Sequence, residues 1–277
     1  MNIKKFLAPK KVNLSKIRPD DTGKIRTPDE IRTDMERDLK ALYDLHYLMY
    51  ADNKRALLII LQGIDASGKD GTAKHLFAGF NPQGCRLYSF KKPSEAELEH
   101  DFLWRTHRVM PARGGITIFN RSYYEEISTV KVHPEYLLHQ NLPDEILHDP
   151  EIFRKRAKQI NAFEKILFQN GMHILKFFLH ISKDEQRIRL QERLNDPTKH
   201  WKFSMADLEE RKLWDNYMRA FEEMLEQTNT KYAPWYVIPA DKKWYRNYLV
   251  ARIVVETLSK LNMAFPKASV PDGLNIV

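Results

Sequence analysis

The stretch of this sequence most suggestive of chemistry is GIDASGKDGT, which runs from Gly63 to Thr72. Gly63, Gly68 and Lys69 have the spacing of a phosphate-binding loop, in which backbone N–H groups point at an anion. The candidate phosphate-binding residues of the loop are Gly63, Ala66, Ser67, Gly68, Lys69, Asp70, Gly71 and Thr72. Because an apolar run precedes the loop and a helical segment follows it, the stretch predicts a P-loop whose lysine reaches the transferred phosphate.

Two carboxylates, Asp65 and Asp70, stand inside this loop although it must hold a negatively charged phosphate. A carboxylate repels phosphate unless a cation lies between them, and Mg²⁺ prefers one or two carboxylates together with phosphate oxygens and water. Asp65 is therefore interpreted as a catalytic Mg²⁺ ligand, and the alternative is a purely structural Asp. Asp70 stands where Ser or Thr is usual. It either offsets the helix dipole, orients Lys69, or starts the helix without a chemical role.

A second polar group, FNRSYYEE at positions 119–126, follows another apolar run. In P-loop enzymes the strand end beside the phosphates usually presents an Asp, and Asn120 stands in that place. Arg121 is expected to face phosphate, because open α/β sheets bind ligands at the carboxyl ends of their strands. We hypothesise that Glu126, in preference to Glu125, holds a second Mg²⁺ or its waters, while Asn120 leaves room for acceptors of different charge. The plainer alternatives are a surface ion pair for Arg121 and a strand-end cap for Asn120.

Cations accumulate around these two groups. Lys91 and Lys92 follow a further apolar run, and Arg189 and Arg193 share one helix face because they are four residues apart. Other candidates lie in the intervening segments: Arg105, Arg108 and Arg113. One nucleotide requires only two or three cations, so the surplus favours an extended polyanion beside the loop. Three further lysines are interpreted as a solvated face: Lys183, Lys199 and Lys202.

The elements that must position these residues follow from the apolar pattern. Runs typical of strands buried on both faces occur at 56–62, 86–90, 116–120, 174–181 and 235–239. Helical segments lie between them, and capping boxes are predicted at Thr27/Glu30, Ser94/Glu97 and Ser182/Glu185. This alternation predicts an α/β fold with a parallel sheet and helices on both faces. We expect one domain over 1–277, with an extended arm over 1–26 and an inserted helical piece at about 183–227.

Bulk composition limits the function further. The 277 residues, 43% of them hydrophobic, suit a large α/β domain, and the net charge of +8 favours a polyanionic partner. The single cysteine, Cys85, excludes an internal disulfide and a thiolate metal cluster. No apolar run approaches the ~18 residues of a membrane span, and the N-terminus lacks the apolar run of a signal peptide. The expected location is the cytoplasm.

Several motifs together resemble the polyphosphate kinase 2 family: GIDASGKDGT, FKKPS, DFLWRTH, FNRSYYEE, KHWKFS, WDNY and APWYVIPADKKWYR, in the family's order. The resemblance covers about residues 30–260. It implies a P-loop kinase fold of three αβα layers, related to thymidylate kinases, with a helical lid. It also implies phosphoryl transfer between inorganic polyphosphate and AMP, ADP and ATP, with guanine nucleotides as further candidates. The implied cofactor is Mg²⁺, or Mn²⁺ in its place, and the implied assembly is a homodimer or homotetramer without nucleic acid or membrane.

By motif, Asp65 resembles the family's metal-binding acid and Lys69 its phosphate-binding lysine. The cationic positions of the family are matched by Lys91, Lys92, Arg121, Arg189 and Arg193. Asn120 departs from the branches that have Asp there, and the segment resembles the branch that acts on both nucleoside mono- and diphosphates. Two rival functions stay open at this point: an ATP-dependent nucleotide or small-molecule kinase, and a P-loop module that is not an enzyme but binds nucleic acid or has a regulatory role.

Overall fold

The carboxyl ends of five parallel strands meet at one edge of a central sheet in the computed structural model, which describes residues 2–267. The strands are β1 (Ala56–Gln62), β2 (Cys85–Ser89), β3 (Ile116–Asn120), β4 (Met172–His180) and β5 (Trp235–Pro239). Their order across the sheet is β2-β3-β1-β4-β5. The predicted α/β fold with a parallel sheet is thereby confirmed, and β1 lies in the middle with the phosphate loop at its end.

Helices cover the sheet in two groups. Their bounds are α1 (Arg32–Asp52), α2 (Lys69–Phe77), α3 (Glu95–Leu98), α4 (Trp104–His107), α5 (Thr129–Val132), α6 (Asp144–Leu147), α7 (Ile152–Gln169), α8 (Lys183–Asn195), α9 (Met205–Lys212), α10 (Trp214–Thr228) and α11 (Lys243–Leu258). Helix α11 packs against α1 and α2, whereas α10 packs against α5 and α7. No helix within the described residues is both long and apolar enough to cross a bilayer.

The two edges of the sheet differ in burial. Strand β5 is buried along its whole length because residues near the N-terminus cover it: Leu7 forms an antiparallel bridge with Tyr236, and the Ala8 N–H donates to the Trp235 carbonyl at 2.9 Å. Strand β2 forms the other edge, and Arg86 and Leu87 on it are exposed. The expectation that this run is buried on both faces is therefore wrong for β2, because β2 is an edge strand and several of its residues are exposed.

The segment before α1, expected as an extended arm, consists of short 3₁₀ turns between extended stretches. Its apolar side chains Ile3, Phe6 and Leu14 are buried against the domain. The N–H groups of Val12 and Leu14 donate to Glu226 and Glu222 of α10, both at 2.7 Å. The segment is thus held by specific hydrogen bonds as well as by apolar contacts.

The predicted helix starts are largely found, but the helical segment that begins after Ser94 is interrupted. Ser94 and Glu97 form their capping box, yet α3 ends at Leu98. Asp101 then accepts from the N–H of Leu103 at 2.9 Å, a local bond that competes with helix propagation. At α8 only half of the box forms: Ser182 accepts from the Glu185 N–H, while the Glu185 carboxylate turns to Arg189.

Candidate active site

The loop between β1 and α2 has an unusual backbone conformation. Gly63 and Gly68 have φ values of 143° and 100°, and Ala66 lies in the left-handed region at 64°. A Cβ atom at Gly63 would lie 2.7 Å from the Leu179 carbonyl oxygen, so only glycine fits there. Within residues 2–267, the N–H groups of Asp65, Ala66 and Gly68 have no hydrogen-bond acceptor. Such a run of unpaired N–H groups is the feature that binds phosphate in a P-loop.

Lys69 crosses the inside of this loop. Its Nζ donates to the carbonyl oxygens of Gly63 at 2.5 Å and Ile64 at 3.1 Å, and the side chain is buried. Burial and, after it, the charge of Arg121 lower the pKa of Lys69 to about 8. The ammonium group is therefore held at the loop but only weakly neutralised, as suits a cation that awaits an anionic ligand.

Arg121 and Asp65 form an ion pair that joins the end of β3 to the loop. Arg121 adopts φ 62°, a left-handed conformation that is strained for a residue other than glycine, and its Nη1 lies 3.8 Å from Glu125. Burial alone would raise the pKa of Asp65, but the charges of Arg121 and Lys69 outweigh it and the pKa lies below its usual value. The charges of Glu125 and Asp65 raise the pKa of Arg121. Both groups therefore stay ionised at the loop.

Asn120 and Asp70 form the second contact between β3 and the loop. The Asn120 amide Nδ2 donates to Asp70 Oδ1 at 2.6 Å. The sequence did not indicate this role for Asp70. The structure adds it to the roles considered above: Asp70 accepts a hydrogen bond from Asn120, the residue that stands where P-loop enzymes usually have an Asp. Thr72, two residues on, donates its hydroxyl to the Gly68 carbonyl at 3.1 Å.

A cationic cleft of about 840 Å³ opens over the loop. The following cations line it: Lys69, Lys74, Lys91, Lys92, Arg121, Arg189, Arg193, Lys199, Lys202, Lys243 and Arg246. Only three carboxylates share this lining: Asp65, Asp70 and Glu192. Lys199 and Lys202, interpreted from sequence as a solvated face, belong to this cleft, because the 3₁₀ helix Pro197–Lys202 borders it. Both side chains are also exposed, so their interpretation as part of a solvated face agrees with the structure.

Sequence reasoning missed three of these cations: Lys74, Lys243 and Arg246. Lys243 and Arg246 begin α11, directly after the carboxyl end of β5. A search for cations after every predicted strand would have found them, because all parallel strands end at one edge. Arg246 is almost fully buried, and a Cβ atom at Gly68 would lie 1.8 Å from its Nη1. The second loop glycine therefore makes room for an arginine 178 residues further along the chain.

A smaller cavity of about 330 Å³ adjoins the cleft. It is lined by apolar and aromatic side chains, which include Ile64, Pro93, Leu98, Val130, Tyr136, Tyr217 and Phe221. Five residues line both spaces: Asp65, Phe90, Lys91, Lys92 and Arg121. The smaller cavity has the character of a small-molecule pocket, whereas the cleft suits an extended anion.

Of the remaining candidate cations, Arg105 lies at the site and Arg113 does not. Arg105 lines the smaller cavity and donates to Glu97 at 3.2 Å. Arg113 lies elsewhere: its Nη1 donates to the Lys54 carbonyl at 3.2 Å, and both residues precede strands, at the amino edge of the sheet. The structure therefore does not bring Arg113 to the site, because a residue before a parallel strand lies at the opposite edge from a residue after it.

Glu125 and Glu126 face different partners. Glu125 lies near Arg121, whereas Glu126 Oε2 accepts from Arg156 at 2.7 Å and from Gln140 at 3.0 Å. Arg156 is buried, so it neutralises Glu126 away from the loop. Of the two carboxylates hypothesised to assist a second Mg²⁺, Glu125 is thus the one that shares Arg121 with Asp65.

The carboxylate at the loop suits a metal ion whose other ligands come from the substrate and water. No group of three His, Cys, Asp or Glu side chains forms a metal cluster in the part of the chain that the structure describes. Mg²⁺ does not need one, because it usually takes one or two carboxylates and fills its other positions with phosphate oxygens and water. Asp65, kept ionised at the loop, fits this role.

This chain is similar to several known proteins over nearly its whole length. The model of the family described as polyphosphate kinase 2 matches residues 27–266. An "AMP/ADP-polyphosphate phosphotransferase" of Meiothermus ruber is 47% identical over 92% of this chain and 91% of that protein. An "ADP-polyphosphate phosphotransferase" of Rhodopseudomonas palustris is 46% identical over 92% and 87%. The crystal structure of a polyphosphate kinase 2 from Arthrobacter aurescens superposes with a TM-score of 0.89 at 36% identity, over 97% of this chain and 92% of that one.

Proposed function

Because this chain belongs to the polyphosphate kinase 2 family, we propose that it transfers the terminal phosphoryl group of inorganic polyphosphate to AMP and ADP, reversibly. One observation carries the proposal: a large cationic cleft and a smaller aromatic cavity meet at Asp65, Lys91, Lys92 and Arg121. Donor and acceptor of very different shape can thus reach the same cations from two sides.

The cleft is the donor side in this account. Its cations outnumber what one nucleotide requires, and they extend from the loop to α11 and to the segment after α8. A chain of phosphates carries negative charge along its length, so neutralisation must also be distributed along it. Lys91, Lys92 and Arg193 are proposed to bind the donor chain, with the loop N–H groups at its reacting end.

The smaller cavity is the acceptor side. Tyr136 and Tyr217 offer aromatic faces to a nucleobase, and Glu125 and Thr129 offer oxygen atoms to its ribose hydroxyl groups. With the nucleoside there, its phosphate group points toward Arg121 and Lys91, which line both spaces. Lys92 supplies further positive charge at the boundary, and Arg105 supplies it within the smaller cavity.

The chemistry at the boundary needs little from the protein except alignment and charge. An oxygen of the acceptor phosphate forms a bond to the terminal phosphorus of the donor, while the bond to the next phosphate breaks. The attacking oxygen is already ionised, so no general base is required. Lys69, Arg121 and the loop N–H groups stabilise the charge on the transferred group, which is the main catalytic term in phosphoryl transfer.

We propose Mg²⁺ as the cofactor, with Mn²⁺ able to replace it. When bound, the ion would neutralise phosphate oxygens and help to align them. Asp65 would hold it, with Glu125 close to its water shell and Asn120 and Asp70 fixing the adjacent loop. Asp65 would then exchange its ion pair with Arg121 for the metal, which frees Arg121 to bind phosphate.

The direct test is a time course with AMP, polyphosphate and Mg²⁺ in the absence of ATP. We expect ADP to appear first and ATP after it, and chelation of the metal to stop both. If no nucleotide product forms unless ATP is supplied, the chain is an ATP-dependent kinase and the proposed donor is wrong. If ADP is converted but AMP is not, the proposed acceptor range is wrong.

A further inference from the structure

Arg189 of α8 uses its whole guanidinium group for contacts within the protein. Its Nε donates to Glu185 at 2.7 Å. Its Nη1 donates to the carbonyl oxygens of Ala66 at 2.9 Å and Ser67 at 3.0 Å, and its Nη2 to those of Ala240 at 2.6 Å and Asp241 at 3.0 Å. Arginine has five N–H donors, and these five contacts account for all of them. Arg189 as a whole residue is only 5% exposed.

We infer that Arg189 is a positioning residue, which holds the phosphate loop in its anion-binding conformation, and is not itself a ligand of the polyphosphate chain. The inference goes beyond the cationic role that the sequence suggests for Arg189. It rests on the proposed phosphoryl transfer only for its kinetic consequence, because the contacts themselves are a property of the free protein.

Arg189 orients the loop N–H groups by fixing the carbonyl oxygens of the same peptide groups. In a trans peptide the C=O and N–H bonds point in opposite directions. Arg189 fixes the Ser67 carbonyl on one side, and the N–H of the same peptide, which belongs to Gly68, then points to the other side. That N–H is one of those without an acceptor in the described chain. Arg189 also fixes the Ala66 carbonyl, and Ala66 is the loop residue with strained φ.

The same side chain joins three elements: α8, the phosphate loop and the link from β5 to α11. Glu185 lies on α8, Ala66 and Ser67 in the loop, and Ala240 and Asp241 in the link from β5 to α11. Arg246 approaches the loop from α11 and also donates to the Ser67 carbonyl, at 3.3 Å. A loss of the Arg189 contacts should therefore disturb loop geometry rather than remove one phosphate contact.

Arg193 provides a matched control, because it lies one turn along the same helix and lines the cleft. It contacts Asp207 at 3.2 Å and leaves other donors to the cleft. Arg189→Lys keeps the charge but cannot reproduce the planar fork that reaches four carbonyl oxygens. Arg193→Lys makes the same chemical change at a side chain that holds no loop carbonyl.

The experiment compares amide hydrogen exchange of residues 63–72 and steady-state kinetics in these two variants. We expect Arg189→Lys to accelerate exchange in the loop and to lower kcat by about 10- to 100-fold, with the KM for polyphosphate changed less than threefold. We expect Arg193→Lys to leave loop exchange unchanged. Glu185→Gln, which removes the ion pair at Nε, should show a smaller effect in the same direction, and it decides the question if Arg189→Lys does not fold.

Two results would overturn the inference. One is wild-type loop exchange in Arg189→Lys together with a large rise in the KM for polyphosphate, which would make Arg189 a direct ligand. The other is no change in exchange, kcat or KM. If the wild-type protein shows no activity with polyphosphate, the proposed function fails, but the exchange measurement still decides whether Arg189 holds the loop.

Discussion

Asn120 at the end of β3 donates its side-chain amide to Asp70 at the start of α2, at 2.6 Å. This contact ties the strand end that usually carries an Asp to the loop position that usually carries a Ser or Thr. The two departures from the usual P-loop pattern are thus one structural unit, in which an amide and a carboxylate pair without repulsion. A second carboxylate at position 120 would face Asp70 directly.

The first prediction follows from this contact. Asn120→Asp should lower kcat at pH 8 by at least tenfold and by much less at pH 6. Two carboxylates at this distance share one proton, so the pKa of one is raised, and the pair is hydrogen-bonded below that pKa but repels above it. The double variant Asp70→Asn with Asn120→Asp restores an amide and a carboxylate and should recover activity at pH 8. Equal damage at both pH values would show that charge repulsion is not the cause.

The same variant tests whether Asn120 widens the range of acceptors. AMP and ADP differ by about one negative charge. A site with one more carboxylate should therefore lose activity with ADP more than with AMP. The ratio of kcat/KM for the two acceptors, measured in wild type and in Asn120→Asp, checks this. An unchanged ratio would mean that Asn120 acts only through Asp70.

Asp65 and Lys69 supply the second prediction. Asp65→Asn removes the charge that is to hold Mg²⁺, and Lys69→Ala removes the cation inside the loop. Each should lower kcat by about 100- to 1,000-fold, the usual effect of losing an electrostatic contact to the transition state. Thermal melting should show that both variants are folded. Turnover near the wild-type rate in either folded variant would contradict the assignment of that residue.

The pKa of Lys69 gives the third prediction. Burial and then Arg121 lower this pKa to about 8, so in the free enzyme the ammonium group loses its proton as the pH rises through 8. Because kcat/KM reports the free enzyme, kcat/KM for polyphosphate should fall above pH 8. A bound phosphate raises the pKa of Lys69, so kcat at saturation should fall only at higher pH. A kcat/KM that stays constant from pH 7 to 9.5 would be inconsistent with this role.

The fourth prediction separates the two cavities. Arg193 lines only the cleft, and Tyr217 lines only the smaller cavity. Arg193→Ala should raise the KM for polyphosphate by about tenfold and leave the KM for ADP unchanged. Tyr217→Leu should raise the KM for ADP and leave the KM for polyphosphate unchanged. Arg113→Ala is the control for loss of a positive charge, because Arg113 lies at the amino edge of the sheet. If Arg193→Ala and Tyr217→Leu raise both constants equally, donor and acceptor do not occupy separate spaces.

Local sequence patterns were enough to predict the frame of the site. β1, β3 and β5 have the predicted bounds, since buried parallel strands read as unbroken apolar runs. The loop that follows β1 was predicted for the same local reason, because its glycines and lysine are fixed by spacing. The rule that parallel strands end at one edge then predicts that Arg121 and Lys91 approach that loop.

Contacts between distant residues could not be predicted in this way. Nothing local shows that Arg246 fills the space beside Gly68, or that Arg156 draws Glu126 away from the loop. Arg113 was assigned to the site on its charge, and charge does not show at which end of a strand a residue lies. Its position before β3, at the amino edge of the sheet, does show this. Arg189 lines the cleft, but its carbonyl partners lie in two other connections of the sheet, and nothing in its own segment indicates them.

The central claim is that polyphosphate and nucleotide bind at the same time in two joined cavities and react directly. Initial rates of ATP formation, measured over a matrix of polyphosphate and ADP concentrations with Mg²⁺ and no added ATP, test it most directly. The account predicts ATP formation with double-reciprocal plots that intersect, because both substrates are bound before any bond breaks. Parallel lines would indicate a phosphorylated enzyme intermediate, and the absence of ATP would show that polyphosphate is not the donor; either result would contradict the account.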